Sequence, residues 1–213
     1  MAAMITSLPN LLTLSRILVI PALVGAFFLA EPVANWLALA LFVGAGLTDW
    51  LDGYFARARD QVSGLGRFLD PIADKLLVAA TLMMLVFNGH LAGVHILPAI
   101  VILCREIMVS GLREFLAEIK VSLPASRLAK WKTGVQMVAI GFVIVGDAGW
   151  HVVPVLAVGL VGLWLAALLT LYTGYDYLRA GLRHMIEPGP APKVTAEWRG
   201  EPRFIKRDPV QGE

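Results

Sequence analysis

Two aspartates three residues apart, Asp49 and Asp52, are followed by a second pair four residues apart, Asp70 and Asp74. They sit in Thr48-Asp-Trp-Leu-Asp-Gly-Tyr-Phe-Ala-Arg57 and Gly66-Arg-Phe-Leu-Asp-Pro-Ile-Ala-Asp74. On a helix, Asp49, Asp52, Gly53 and Ala56 fall at i, i+3, i+4 and i+7 and share one stripe, while Asp70 and Asp74 share another. Two helices flanking a short loop can face each other and gather all four carboxylates. Such anions repel one another and are costly near a bilayer, so a divalent metal is the economical counter-charge. Carboxylate oxygens without His or Cys suit Mg²⁺ or Mn²⁺ rather than Zn²⁺. Gly53, Ala56 and Gly66 leave room for a bulky ligand, and Arg57 offers a guanidinium to phosphate oxygens. These parts suit a metal-bridged diphosphate, with cations stabilising charge on a phosphoryl group and its leaving oxygen. Asp60 reads as part of a solvated face.

The elements that must position these residues are membrane helices. Of 213 residues, 58% are hydrophobic, and the mean hydropathy is +0.72. That is too apolar for one soluble core, so lipid must be part of the solvent. Six apolar segments are predicted: Leu11–Ala30, Val33–Leu47, Phe68–Phe87, Val94–Met108, Thr133–Val145 and Val152–Tyr172. A crossing needs about 20 residues, so Val33–Leu47 spans only if its helix continues through Thr48 to the neighbourhood of Arg57. Pro71 permits either a kinked continuous helix or a helix starting there with Asp70 as N-cap. The alternation of a transmembrane β-barrel is absent. The fold class expected is therefore all-α, an integral membrane bundle of six transmembrane helices.

Lys and Arg fix its orientation, because basic connections stay in the cytoplasm. Arg57, Arg59 and Arg67 lie between segments two and three; Arg113, Lys120, Arg127, Lys130 and Lys132 between four and five; and Arg179 onward follows six. The alternate connections carry neither residue. Both termini are expected in the cytoplasm, with a multi-pass protein in the cell inner (cytoplasmic) membrane and its acids at the cytoplasmic edge. The catalytic domain is expected over residues 1–180, with residues 181–213, rich in Pro, Gly and mixed charge, as a mobile or surface-lying tail. Met1 to Asn10 has no basic n-region, so the first apolar run is expected to remain as a helix. A net charge of +2 gives no nucleic-acid signature. The single cysteine, Cys104, excludes an internal disulfide framework; lying in an apolar run, it is expected to be a small buried hydrophobe.

The pattern from Asp49 to Asp74, Asp-x2-Asp-Gly-x2-Ala-Arg-x8-Gly-x3-Asp-x3-Asp, resembles the full signature of the CDP-alcohol phosphatidyltransferase family. The resemblance implies a six-helix membrane fold, usually homodimeric, with two divalent cations, Mg²⁺ or Mn²⁺. It implies that Asp49 and Asp70 bridge metals, that Asp52 holds one, and that Asp74 is the catalytic base and touches the second. Gly53, Arg57 and Ser63 would contact the CDP moiety of CDP-diacylglycerol, with Ala56 and Gly66 lining the same cavity.

Three further stretches bear on the ligands. In Pro9-Asn-Leu-Leu-Thr-Leu-Ser-Arg16, the residues Asn10, Thr13 and Arg16 recur on roughly one helix face, and resemblance gives that face a place beside the nucleotide. Arg105-Glu-Ile-Met-Val-Ser-Gly-Leu-Arg-Glu-Phe-Leu-Ala-Glu118 and Lys130-Trp-Lys-Thr-Gly-Val-Gln136 resemble the corresponding stretches of family members that use glycerol 3-phosphate. Arg105 ends an apolar run, where a charge needs a partner such as Glu106 or a bound anion. Arg113 lies two turns on, and Lys130 or Lys132 can reach in from the next helix, so these four cations are the candidate site for an acceptor phosphate. The expected activity is transfer of a phosphatidyl group from CDP-diacylglycerol to glycerol 3-phosphate. A cardiolipin-synthase type, using phosphatidylglycerol, is the rival within the family, and a carboxylate-lined metal-ion transporter is the rival outside it. His90, His95 and His151 read as interfacial residues of the far loops, Trp36, Trp150 and Trp164 as belt or packing aromatics. Lys75 either snorkels or balances charge beside Asp74.

Overall fold

The computed structural model describes residues 8–59, 64–119, 127–148 and 154–186. Six α-helices account for most of them: α1 Leu8–Ala26, α2 Val33–Arg59, α3 Gly64–Phe87, α4 Ile96–Glu118, α5 Arg127–Val145 and α6 Val155–Ile186. Short 3₁₀ turns, Gly93–His95 and Gly146–Ala148, precede α4 and follow α5. No strand occurs among the described residues.

Each predicted apolar segment falls on one helix, but the ends differ for physical reasons. Helix α1 stops at Ala26, and the next three residues bond back three positions, Phe27 to Val24, Phe28 to Gly25 and Leu29 to Ala26. Helix α2 does not end with its apolar run; it continues to Arg59 and carries Asp49 and Asp52 on its polar extension. Helix α3 begins at Gly64 and takes Pro71 into its interior, so the continuous alternative holds and Asp70 is not an N-cap. Its far end closes through Gly89, at φ 79°, a left-handed conformation glycine adopts without steric cost. Helix α6 begins at Val155 and continues to Ile186, past Gly181 where the tail was expected to start.

Helix α1 packs on α2 and α3, α4 on α6, and α5 on α6, with α2 reaching across to α5. Leu23, Leu77, Leu82, Ile102, Ile140 and Leu163 are fully shielded at the centre. The α5–α6 seam depends on glycine. A β-carbon on Gly159 would lie 2.8 Å from the Val143 backbone nitrogen, and one on Gly162 would lie 3.0 Å from the Ala139 β-carbon. Small residues at such a seam let backbones approach, as helix pairs in lipid require.

The exterior is as apolar as the interior. Met83, Ile107, Val138, Val161, Leu168 and Leu171 are among many large hydrophobic side chains left exposed, far beyond the scattered apolar exposure of a water-soluble monomer. Gly93–Glu118 and Val155–Leu182 are long and apolar enough to cross a membrane, while Thr13–Ala26 and Val33–Thr48 are shorter apolar stretches. Cys104 corrects an expectation: it is exposed, not buried. In lipid an outward face is also apolar, so hydropathy did not separate the two.

The ends of the helices remote from Asp70 are pinned by polar side chains. Asn35 Nδ2 donates to the Val145 carbonyl at 3.0 Å. His90 Nδ1 lies 2.8 Å from the Val143 carbonyl oxygen, with Nε2 3.7 Å from Glu31. Trp164 Nε1 donates to His95 Nδ1 at 3.2 Å. His90, His95 and Trp164 therefore join helices as well as lying at that end. Trp150 and His151 lie outside the described residues.

Candidate active site

Asp70 and Asp74 stand one turn apart on α3 and are both half-buried. The Thr13 hydroxyl on α1, itself 1% exposed, donates to Asp70 Oδ1 at 2.5 Å. A hydroxyl donor on one carboxylate oxygen fixes the carboxylate's rotation. Arg16, one turn after Thr13, is 1% exposed and engaged within the structure. A guanidinium buried that completely is not snorkelling to an interface. Gly66 is buried at the start of α3. Asn10 lies on α1, and Asp49, Asp52, Gly53, Ala56 and Arg57 lie on α2; their side-chain positions are outside the described residues, as is the whole of Ser63.

A cationic cluster forms where α4, α5 and α6 meet. Arg105, 8% exposed, donates from Nη1 to Glu106 Oε1 at 3.3 Å and from Nη2 to Thr173 Oγ1 at 3.0 Å. Lys132, 3% exposed, donates to the same Glu106 oxygen. Two buried cations thus share one carboxylate, which leaves an excess of positive charge. Burying ions is expensive unless they are paired and fully hydrogen-bonded, so this arrangement is chemically suited to an anion. Lys132 lies just before the apolar run that starts at Thr133. Burial lowers its pKa from the ordinary lysine value, while the charges of Glu106 and Asp74 act in the opposite direction.

Arg105 and Arg113 flank one ring: each guanidinium carbon lies 5.9 Å from the centroid of Tyr177. Arg113 is exposed and Arg105 buried. The Lys130 side chain lies outside the described residues. Lys75 resolves otherwise than by snorkelling, since its ammonium donates to Ser110 of α4 and ties the two helices beside Asp74.

Beside Asp74 is a cavity of about 170 Å³, lined by Asp74, Lys75, Glu106, Thr133 and Gln136, with Met137 among its apolar residues. The sequence pointed to the cations and aspartates but not to Glu106 as the common partner of Arg105 and Lys132, nor to Thr173, Tyr177 and Gln136. Gln136 follows Lys132 by one turn, a spacing that could have marked it. Thr173 and Tyr177 share the same spacing on α6, at the end of an apolar span.

A model of the CDP-alcohol phosphatidyltransferase family matches residues 6–172. Proteins named CDP-diacylglycerol–glycerol-3-phosphate 3-phosphatidyltransferase are similar over most of their length. That of Rickettsia bellii (strain RML369-C) is 47% identical over 174 residues, covering 82% of this chain and 94% of the relative. That of Haemophilus influenzae (strain ATCC 51907) is 36% identical, covering 85% and 96%; that of Pseudomonas fluorescens is 39% identical, covering 91% and 100%. The chain belongs to the CDP-alcohol phosphatidyltransferase family.

For this phosphatidyltransferase, the donor chemistry at the acidic wall fits a hard divalent cation. Asp70 and Asp74 offer half-buried oxygens one turn apart, Thr13 orients one of them, and the histidines described are engaged at the opposite helix ends. Among the described residues no three His, Cys, Asp or Glu side chains converge. Asp49 and Asp52 would enlarge the set, and their side chains are outside the described residues.

Proposed function

We propose that this phosphatidyltransferase moves the phosphatidyl group of CDP-diacylglycerol to glycerol 3-phosphate, giving phosphatidylglycerophosphate and CMP in anionic phospholipid synthesis. The observation that carries this reading is one cavity with Asp74 in its wall and with Glu106, clasped by Arg105 and Lys132, in the same wall. This supports a reading in which the hydroxyl of one small molecule meets Asp74 while its phosphate turns to the cations that clasp Glu106. The names of the relatives support the same acceptor.

In the mechanism, the acceptor phosphate docks on Arg105 and Lys132, with Arg113 and Lys130 at the approach. Asp74 takes the proton from the acceptor hydroxyl, and that oxygen bonds to the lipid-side phosphorus. The phosphorus–oxygen bond to the CMP portion breaks, and CMP leaves with the electron pair. No covalent enzyme intermediate is needed. Asp49, Asp52, Asp70 and Asp74 would hold two Mg²⁺ or Mn²⁺ ions, which when bound supply charge stabilisation to the diphosphate and its leaving oxygen. Thr13 holds Asp70 in orientation. Asn10, Thr13, Arg16, Gly53, Ala56, Arg57, Ser63 and Gly66 form the nucleotide side, with the small residues leaving space and the arginines meeting phosphate oxygens.

The same reading sets the six helices across the inner membrane, termini and site toward the cytoplasm, because basic residues crowd only the connections on the side of the aspartates. A homodimer is proposed from family resemblance. Asp74→Asn should lower glycerol 3-phosphate-dependent CMP release by about 100-fold or more, the ordinary scale of general-base loss, while CDP-diacylglycerol still binds. Near-normal turnover by a folded variant would remove Asp74 from the base role.

A further inference from the structure

The cavity beside Asp74 contains a polar group that neither the metal site nor the phosphate cluster uses. Gln136 is 3% exposed and lines that cavity, yet its Oε1 is shielded from water and makes no hydrogen bond among the described residues. A buried acceptor without a donor is destabilising, so its presence in a packed helix calls for an occupant that supplies the donor. Hydrophobic residues of similar length would fill the same wall without this cost. A ligand in that cavity whose hydroxyl or amide hydrogen drew the Gln136 amide toward it would end this cost.

We infer that Gln136 accepts a hydrogen bond from the secondary, C2 hydroxyl of the acceptor alcohol and so determines acceptor specificity. The inference rests on glycerol 3-phosphate being the acceptor. That molecule has three polar ends to place. Its phosphate goes to the excess charge of Arg105 and Lys132, which meet at Glu106 in the cavity wall. Its primary hydroxyl must face Asp74 to lose a proton. The C2 hydroxyl lies between those two ends, and Gln136 stands one turn along α5 from Lys132 in the wall that Asp74 shares. Gln136 neither moves a proton nor touches the phosphorus; it selects an alcohol that is hydroxylated beside its reacting carbon. Sites built to hydrogen-bond a substrate hydroxyl reject analogues that lack it, because the buried partner is then left unpaired.

The test is a substrate and mutation cycle with purified full-length protein, CDP-diacylglycerol and either glycerol 3-phosphate or 3-hydroxypropyl phosphate, which lacks only the C2 hydroxyl. Wild type should prefer glycerol 3-phosphate by roughly 10- to 100-fold in kcat/KM. Gln136→Met, close in shape and without the acceptor, should lose most of that preference, with the loss confined to glycerol 3-phosphate. A general disturbance of packing would lower both substrates together. Equal use of the two substrates by wild type, or equal losses in the variant, would overturn the inference while leaving the proposed activity intact. Failure of wild type to use glycerol 3-phosphate at all would overturn the activity and this inference with it.

Discussion

Asp70 would hold metal only as well as it is itself held, and its orientation comes from Thr13, fifty-seven positions away in sequence. The sequence placed Thr13 on a polar stripe with Asn10 and Arg16 beside the nucleotide; its hydroxyl also donates to a carboxylate. No spacing rule links a residue on the first helix to one on the third, so the contact was invisible until α1 packed on α3. Glu106 is the parallel case. It was legible as a neighbour for Arg105, but its second partner, Lys132, comes from another helix. Thr13→Val keeps the shape and removes the donor. Groups that orient metal-bound carboxylates typically contribute 10- to 100-fold to metal affinity or activity. We expect Thr13→Val to raise the Mg²⁺ concentration for half-maximal turnover by about tenfold, with thermal stability little changed; an unaltered Mg²⁺ dependence would contradict the orienting role.

At the scale of elements, the six helices were legible because each carries a long apolar run, whereas their ends were not. Periodicity left Pro71 open between a helix start and a kink, and only the backbone from Gly64 decides it. Hydropathy also failed to tell inward from outward faces, as Cys104 illustrates, because lipid and core are equally apolar. Glycine contacts supply the missing directional information. A side chain on Gly162 meets Ala139 across the α5–α6 seam, whereas one on Gly44 meets nothing within 4 Å. Gly162→Leu should therefore force α5 and α6 apart and destabilise the bundle by about 1–3 kcal/mol, the usual scale of overpacking. Gly44→Leu is the control and should be tolerated. Thermal unfolding in detergent checks the pair; equal midpoints for both variants and wild type would show that the seam is not close-packed in solution.

For the whole molecule, the polar chemistry is unevenly distributed along the helices. Asp70, Asp74 and the Arg105–Glu106–Lys132 cluster share one region, while the remote ends are joined by Asn35, His90 and Trp164. A transporter needs a path from one side to the other; pinned remote ends and a small cavity of about 170 Å³ suit a site that receives and releases its ligands at one edge. On the proposed reading, the asymmetry of Lys and Arg in the connections would put that edge toward the cytoplasm, where a water-soluble phosphorylated alcohol and a membrane lipid can meet.

The central claim concerns which alcohol that edge accepts, and CMP release by the purified protein measures it directly. CDP-diacylglycerol and Mg²⁺ or Mn²⁺ would be held constant while glycerol 3-phosphate, phosphatidylglycerol, serine and inositol phosphate are compared. The account predicts metal-dependent release driven chiefly by glycerol 3-phosphate, with phosphatidylglycerophosphate formed in equal amount. Preference for any other acceptor, or no release from a folded sample, would contradict it.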